Sequence, residues 1–288
     1  MTLKETEQYL LNRILLQYDY QEAKSIAKIA LQFILKLNNL KYALNYQKEV
    51  ESIDLSQLDN FINRLQLGEP IQYIMGEAHF MGYDFEVSPE VLIPRRETEE
   101  LVALIIAENE NKSNLSLLDI GTGSGCIAIT LSVNFFNSKV KAIDLSEKAL
   151  KIASSNAKKL NAQVEFRQAN ILAMESLWHN TFDIIVSNPP YVLESEKVFM
   201  HVNVLSYEPS LALFVDDSDP LLFYRKITLL AQKALNAHGR LYFEVNEKFG
   251  PEVAQLLQEN NFTNIEIRTD MQGKNRIVRG EIKDVVDR

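Results

Sequence analysis

Apolar residues in the first 68 positions recur every three or four residues, the spacing of a helix that buries one face. The residues at this spacing are Leu11, Ile14, Leu15 and Tyr18, then Ile26, Ile29, Ala30, Phe33 and Ile34, and later Leu55, Leu58, Ile62 and Leu65. No Gly or Pro interrupts the pattern before Gly68, and Thr2 and Glu5 have the spacing of a capping box. We therefore predict a small helical bundle over residues 1–75, which carries no catalytic residues and serves as a docking surface.

Residues 76–93 change to an alternating pattern of apolar and polar positions. The apolar members are Phe80, Tyr83, Phe85, Val87, Val91 and Ile93. Alternation with period two is typical of strands, and a Ser-Pro pair is a common turn signal. We predict a β-hairpin or extended connector that turns near Ser88-Pro89, with the domain boundary in this segment.

From residue 94 to residue 288, short β-type runs alternate with helical stretches. The predicted strands are 116–120, 140–145, 164–169, 182–187, 239–245, 264–270 and 275–282, and the predicted helices are 97–109, 125–133, 146–160, 219–237 and 250–260. Alternating β and α elements favour a parallel sheet covered by helices on both faces. The last two strands are separated only by Met271 to Lys274, so we expect them to form an antiparallel hairpin.

The bulk composition narrows the class of partner. The formal net charge is −9 and the pI is about 5.1, whereas proteins that grip nucleic acid by its phosphates usually have a basic surface. The single cysteine, Cys126, cannot form an intramolecular disulfide, and the four scattered histidines lack zinc-ligand spacing. No signal peptide or membrane-span pattern is visible, so we expect a cytoplasmic protein that binds no metal, no membrane and no nucleic acid.

A glycine-rich segment follows the first predicted strand of the α/β region. Asp119 precedes Gly121, Gly123 and Gly125, and a predicted helix follows. A tight strand-to-helix turn alone would explain the glycines, but they also let the backbone approach a ligand closely. The Asp-x-Gly-x-Gly-x-Gly spacing differs from the dinucleotide fingerprint, and Asp144 ends the next predicted strand, where it can accept from ribose hydroxyls.

These features resemble the S-adenosylmethionine pocket of the Rossmann-like class I methyltransferases. The resemblance implies a seven-stranded mixed sheet with a terminal antiparallel hairpin, and a reaction that leaves S-adenosylhomocysteine as product. It places Asn170 and Ile171 at the adenine, although many relatives carry Asp at the first of these positions. The cofactor-binding candidates are Asp119, Gly121, Thr122, Gly123, Ser124, Gly125, Asp144, Asn170, Ile171 and Asn188.

A second motif, Asn188-Pro189-Pro190-Tyr191, follows the predicted strand 182–187. Asn-Pro is ordinary turn punctuation, but beside a methyl-donor pocket this motif resembles that of enzymes that methylate a nitrogen conjugated to a π-system. The side-chain oxygen of Asn188 and the carbonyl of Pro189 can accept both N–H groups of a planar amide, which orients the nitrogen lone pair. Proline fixes that backbone and Tyr191 supplies a flat wall, so these four residues are our catalytic and substrate-binding candidates.

The segments around these motifs resemble the protein-(glutamine-N5) methyltransferases that modify peptide chain release factors, the HemK-type enzymes. The resembling segments are 68–102, 207–213, 223–227, 239–245 and 272–278. The resemblance implies that the glutamine of the Gly-Gly-Gln loop is methylated, that the N-terminal bundle grips the release factor, and that Arg95, Glu97 and Thr98 line a cleft for the loop. A helix start with an acidic first turn explains these last residues equally well. The chain departs from the family pattern at Arg96, Asn246 and residues 215–221.

Two other functions remain open at this point. An N6-adenine methyltransferase acting on DNA or RNA uses the same Asn-Pro-Pro-Tyr chemistry, although the acidic charge counts against it. A non-catalytic adaptor that binds S-adenosylmethionine is the other alternative, and the intact motif counts against that. We expect a monomer.

Overall fold

The computed structural model describes residues 1–50, 55–174 and 178–283. Contacts divide the chain into two compact units, one formed by Met1–Glu77 with His201–Tyr207 and the other by Ala78–Met200 with Glu208–Arg288. The bundle predicted over 1–75 and the α/β region predicted over 94–288 include residues 51–54, 175–177 and 284–288, which lie outside the described residues.

Short helices build the first unit. They are α1 (Leu3–Ile14), α2 (Tyr20–Ile34), α3 (Asn39–Asn45), α4 (Leu55–Gln66) and α5 (Ile71–Met75). The predicted capping box is present, since Thr2 Oγ1 accepts from the Glu5 amide and Glu5 Oε2 accepts from the Thr2 amide. The predicted apolar stripes form the core, with Leu10, Leu31 and Ile62 fully buried. The side chain of Leu55 lies outside the described part of the chain.

A two-stranded hairpin follows, formed by β1 (Glu77–Phe80) and β2 (Tyr83–Glu86). It turns at Met81-Gly82, so the prediction that the hairpin turns near Ser88-Pro89 is wrong. Met81 and Gly82 have φ of 50° and 85°, the left-handed pair that matches the twist of a two-residue hairpin turn. Ser88 takes part in a separate turn, in which its carbonyl accepts from the Val91 amide at 3.0 Å.

A seven-stranded mixed sheet forms the centre of the second unit, as the sequence predicts. Its strands are β3 (Ser116–Ile120), β4 (Lys139–Asp144), β5 (Val164–Gln168), β6 (Phe182–Ser187), β9 (Leu235–Glu244), β10 (Phe262–Thr269) and β11 (Asn275–Ile282), and β7 (Val192–Leu193) pairs separately with β8 (Phe214–Val215). The spatial order is β10-β11-β9-β6-β3-β4-β5. The five neighbouring strands β9, β6, β3, β4 and β5 run parallel to one another. Strand β11 lies between β9 and β10 and is antiparallel to both.

Helices cover both faces of this sheet. They are α6 (Arg96–Asn109), α7 (Cys126–Asn134), α8 (Glu147–Lys159), α11 (Leu222–Ala234) and α12 (Gly250–Glu259). The second unit also contains the short helix α10 (Ser210–Leu213) and the 3₁₀ helix Glu194–Phe199, whereas α9 (Val202–Tyr207) belongs to the first unit. Leu117 packs in the core beside α6 and α7, whereas its neighbour Leu118 packs in the core beside α11 and α12. Successive side chains of a strand point to opposite faces, so β3 is buried on both sides.

The predicted helix 219–237 is too long at both ends. Helix α11 ends at Ala234, because Leu235 already pairs with Phe182 at the start of β9. The register then shifts between Phe182 and Ile184, and His238 adopts φ of 60° in the bulge. In the part of the chain that the structure describes, no helix is both long and apolar enough to cross a membrane.

Candidate active site

The two sequence motifs meet at one edge of the sheet. The glycine-rich segment follows β3, Asp144 ends β4, and Asn188 follows β6. Strand β3 pairs in parallel with both β4 and β6, so their carboxyl ends lie side by side. In open α/β sheets this edge is where ligands bind.

The glycines of the loop have different reasons to be glycine. Gly125 precedes α7 with φ of 82°, and a Cβ there would lie 2.8 Å from the Ile129 side chain. Gly123 has φ of 54°, and a Cβ there would meet nothing within 4 Å. Gly125 is therefore required by packing, whereas Gly123 leaves open space beside the strand ends.

Asp144 ties the loop to β4. Its Oδ2 accepts from the Gly123 amide at 2.8 Å and its Oδ1 accepts from the Ser146 amide at 2.8 Å. The Gly121 and Thr122 amides donate to the carbonyl of Ile143 at 2.9 and 3.1 Å. A carboxylate oxygen has more than one acceptor site, so Asp144 retains capacity for ligand hydroxyls.

Asp119 is a buried carboxyl at the base of the loop. Its Oδ2 accepts from Thr122 Oγ1 at 2.6 Å and from the Ala128 amide at 3.3 Å. Its Oδ1 is buried and has no hydrogen-bond partner among the described residues. Burial raises the pKa of Asp119 to about 7, against a contribution from the Thr122 hydrogen bond that lowers it. This carboxyl therefore has an unused acceptor position under the glycine loop.

The remaining donor-pocket candidates lie beside these groups. The Ala169 amide donates to the Asp144 carbonyl at 2.9 Å, which joins the ends of β4 and β5. Asn170 is exposed, and its Oδ1 accepts from the Leu172 amide at 3.0 Å, while Ile171 packs partly against the core. Ser124 is buried, and its carbonyl accepts from Asn156.

The Asn-Pro-Pro-Tyr motif has a defined set of partners. Asn188 Nδ2 donates to Thr98 Oγ1 at 3.1 Å, so Thr98, in the first turn of α6, lies against the motif. Pro189 is buried, and Pro190 and Tyr191 are partly exposed. The Tyr191 hydroxyl donates to Glu244 Oε1 at 3.0 Å. The amide nitrogen of Asn188 is thus engaged inside the protein, which leaves its side-chain oxygen for another partner.

Known proteins resemble the chain along most of its length. Residues 10–76 match the family model described as PrmC N-terminal domain, and residues 111–276 match the one described as Methyltransferase domain. The release factor glutamine methyltransferase of Flavobacterium psychrophilum is 47% identical over 265 residues, covering 91% of this chain and 93% of that protein. The protein of the same name from Bacteroides thetaiotaomicron is 45% identical over 261 residues, covering 91% and 93%.

This chain belongs to the release factor glutamine methyltransferase family.

A crystal structure of a methyltransferase from Pyrococcus furiosus shares the fold, with a TM-score of 0.52 and 19% identity, over 78% of this chain and 99% of that one.

Glu244 is a site residue of this family member that the sequence analysis missed. It ends β9, is 1% exposed, and accepts from Thr98 Oγ1 at 2.6 Å and from Tyr191 at 3.0 Å. Burial raises the pKa of Glu244, against the two hydrogen bonds from Thr98 and Tyr191, which lower it. The available signal was a Glu at the end of an apolar strand that neighbours the strand before Asn188.

Arg95 and Glu97, which were predicted to line the cleft together with Thr98, do not contact the Asn-Pro-Pro-Tyr motif in the described structure through a hydrogen bond of the kind that Thr98 makes. Arg95 donates to Glu208 at 2.5 Å, and Glu208 is a buried carboxylate that also accepts from the Ile93 amide at 3.3 Å. Glu97 lies close enough to Glu244 for its charge to raise the pKa of that carboxyl. The structure thus brings Thr98 to the Asn-Pro-Pro-Tyr motif and holds Arg95 on Glu208.

The departure from the family pattern at Asn246 has a structural role. Asn246 Nδ2 donates to the Tyr191 carbonyl at 3.2 Å and to Glu196 at 3.2 Å. Tyr191, Phe199, Asn246 and Arg276 are among the residues that line a cavity of about 340 Å³. The side chain of Asn246 therefore ties Tyr191 and the segment after the motif to the end of β9.

Cys126 does not have the surroundings of a nucleophile. It is buried, and burial raises the pKa of its thiol to about 12, so the thiolate is scarce at neutral pH. Among the described residues, no group of three or more His, Cys, Asp or Glu side chains is arranged to hold a metal ion.

Proposed function

We propose that this chain methylates the side-chain nitrogen of the glutamine in the Gly-Gly-Gln loop of bacterial peptide chain release factors. S-adenosylmethionine is the methyl donor. The relatives that are 47% and 45% identical over most of the chain bear the name release factor glutamine methyltransferase. The geometry that carries the proposal is the hydrogen bond from Asn188 Nδ2 to Thr98, which leaves the amide-recognising oxygen of Asn188 free.

The residues around the glycine loop fit this donor. Gly123 leaves open space where a side chain would intrude, and Asp119 Oδ1 is an acceptor without a partner in the described structure. We assign Asp144 to the ribose hydroxyls and Asn170 and Ile171 to the adenine, with the backbone of residues 121–125 against the remainder. When bound, the donor supplies an electrophilic methyl group on a positively charged sulfur.

The acceptor amide is oriented by the motif. Asn188 Oδ1 and the Pro189 carbonyl accept the two N–H groups of the glutamine amide, and the Tyr191 ring lies against its plane. These acceptors favour positive charge on the nitrogen as its lone pair forms the N–C bond and the methyl–sulfur bond breaks in line. Because the motif is preorganised by proline and by hydrogen bonds, this orientation needs little rearrangement.

The proton is lost after methyl transfer, when the nitrogen has become strongly acidic. The buried carboxylate beside the motif does not act as a dedicated base, since both oxygens of Glu244 already accept from Thr98 and Tyr191. We therefore assign proton loss to water through the acceptors that hold the amide. S-adenosylhomocysteine and the N5-methylated glutamine are the products.

We assign the helices of residues 1–75 to docking of the release factor, residues 76–93 to a connector, and residues 94–288 to catalysis. Arg95 and Glu97 are the proposed contacts to the Gly-Gly-Gln loop outside the motif, and Thr98, which is 3% exposed, acts on the loop through Asn188. Release factors act on ribosomes, so the proposed location is the cytoplasm. We propose a monomer that binds no nucleic acid directly, in agreement with the net charge of −9.

The decisive experiment is methyl transfer from labelled S-adenosylmethionine to three acceptors. These are a bacterial release factor, the same factor with its loop glutamine changed to alanine, and a pool of adenine-containing DNA and RNA. We expect label on the intact factor alone. Label on the nucleic acid alone would establish adenine N6 methylation, and donor binding without transfer to any acceptor would establish the adaptor function.

A further inference from the structure

Glu244 and Asn188 are brought together by strand register. Strands β6 and β9 pair in parallel with Ser187 opposite Phe243, so the residues that follow, Asn188 and Glu244, lie side by side at the carboxyl ends of these strands. Thr98 reaches the same place from the first turn of α6. Thr98 and Glu244 are 3% and 1% exposed, so water does not compete for their hydrogen bonds.

The direction of the hydrogen bonds in this group is determined by the carboxylate. An ionised carboxylate only accepts, so the single hydroxyl proton of Thr98 goes to Glu244 Oε2, at 2.6 Å. Thr98 Oγ1 can then only accept from Asn188, which it does from Nδ2 at 3.1 Å. The carboxamide of Asn188 therefore has its nitrogen turned inward and its oxygen turned away from Thr98.

We propose that Glu244 is a positioning residue that, through Thr98, sets which way the Asn188 carboxamide faces and so presents its oxygen to the substrate amide. The same carboxylate accepts from Tyr191 and so holds the phenol ring as well. The inference rests on the proposed function for its catalytic consequence, but the orientation of Asn188 is independent of what the substrate is.

Ionisation of Glu244 is essential to this arrangement, because a protonated carboxyl can donate to Thr98 and reverse the chain of hydrogen bonds. The charged and titratable groups that face it are Arg276 from β11, Glu97 from α6, Tyr191 after β6, Cys126 from α7 and Tyr224, whose hydroxyl donates to the Glu244 carbonyl. Arg276 and the two hydroxyl donors favour the carboxylate, whereas burial and Glu97 oppose it.

Two near-isosteric substitutions separate orientation from packing. Glu244→Gln allows either direction of hydrogen bonding, and Thr98→Val removes the acceptor for Asn188. We expect each to lower kcat on the release factor by roughly 10²-fold, because the misoriented amide leaves the substrate poorly aligned. Thr98→Ser keeps the hydroxyl and should restore most of kcat, and the donor dissociation constant should change little in all three.

Thr228→Val is the matched control for loss of a buried hydroxyl. Thr228 is fully buried in α11, and its Oγ1 has no hydrogen-bond partner in the described structure. We expect normal kcat from this variant. Thermal unfolding of every variant shows whether it remains folded under the assay conditions.

A spectroscopic measurement tests orientation without any substrate. In protein labelled with ¹⁵N asparagine, the Asn188 side-chain NH₂ signal is identified by its absence in Asn188→Ala. We expect this signal to shift in Thr98→Val and Glu244→Gln, and to stay in place in Thr228→Val. The wild-type pH profile should also lose kcat toward acid as Glu244 is protonated, and Glu244→Gln should lack that limb.

The outcomes separate the inference from the proposed function. A wild-type chain that does not methylate the release factor refutes the function, and the asparagine signal still decides the inference. An unmoved Asn188 signal in both folded variants, Thr98→Val and Glu244→Gln, overturns the inference. A kcat within about twofold of wild type in both variants overturns it as well.

Discussion

Asp119 makes the stability of the donor-free protein depend on pH in an unusual direction. Its pKa is raised from 3.8 to about 7, chiefly by burial, so the folded protein holds this proton more tightly than the unfolded chain. Unfolding free energy therefore falls as pH rises from about 4 to about 7, with a slope of up to roughly 1.4 kcal/mol per pH unit. Over the whole interval the loss is on the order of 4 kcal/mol.

The perturbation is Asp119→Asn, which removes the titration and keeps an oxygen for Thr122 and Ala128. Urea unfolding of both proteins without donor, at several pH values from about 5 to about 8, gives the difference in unfolding free energy at each pH. We expect wild type to lose stability relative to the variant up to about pH 7, and the difference to level off above it.

Asp270→Asn provides a control with the opposite sign. Hydrogen bonds from backbone amides, that of Lys274 first, lower the pKa of Asp270, so its stabilising contribution is lost only as pH falls below the ordinary value of 3.8. The difference between wild type and Asp270→Asn should therefore stay flat from about pH 5 to about pH 8. A flat difference for Asp119→Asn as well would refute the reasoning, because it would mean that Asp119 is ionised throughout.

Three further substitutions test the assigned site. Gly123→Ala should cost roughly 1–2 kcal/mol of stability for its left-handed backbone, as should its control, Gly82→Ala in the hairpin turn. Calorimetry should show at least about tenfold weaker donor binding only for Gly123→Ala, because its added Cβ enters the space that we assign to the donor. Asp144→Ala should weaken donor binding while kcat at saturating donor is largely kept, and unchanged affinity would remove Asp144 from the ribose. Asn188→Ala should lower kcat by roughly 10²–10³-fold with donor binding intact, and an equal loss of donor affinity would place Asn188 in the donor pocket instead.

The pattern of apolar positions predicted the centre of the sheet well because strands such as β3 and β6 are short and largely buried. Strands 116–120, 182–187 and 275–282 have the predicted bounds. The misplaced hairpin turn has a simple cause. Ser88-Pro89 is a stronger turn signal than Met81-Gly82, but the two-residue connection requires left-handed backbone, which Met81 adopts despite its side chain.

The errors at the end of α11 have a tertiary cause. Residues 235–237 continue the helical pattern, yet Leu235 is paired with Phe182, the first residue of β6. A local pattern does not contain the position of a neighbouring strand, so the helix appears longer in sequence than it is. In the same way, the grouping of His201–Tyr207 with the N-terminal helices depends on contacts such as that of the Tyr207 hydroxyl with the Leu67 carbonyl, at 3.1 Å.

The site shows the same division between local and distant information. The glycine loop and the Asn-Pro-Pro-Tyr motif are contiguous, and each carries its chemistry in a few adjacent residues, so both are visible in sequence. Glu244 is visible only as the last residue of a strand. Its importance comes from the parallel pairing of β6 with β9, which no local pattern contains.

That distant carboxylate answers a question that the motif alone leaves open. The carboxamide of Asn188 has a donor end and an acceptor end of nearly equal size. Only its oxygen can accept from the N–H groups of the substrate amide. Asn188 in a free loop would present either end. The buried chain from Asn188 through Thr98 to Glu244 removes this freedom, because a carboxylate at its end admits only one direction of donation. The two prolines fix the backbone of the motif, and this chain fixes its side chain, so recognition of the substrate nitrogen requires both.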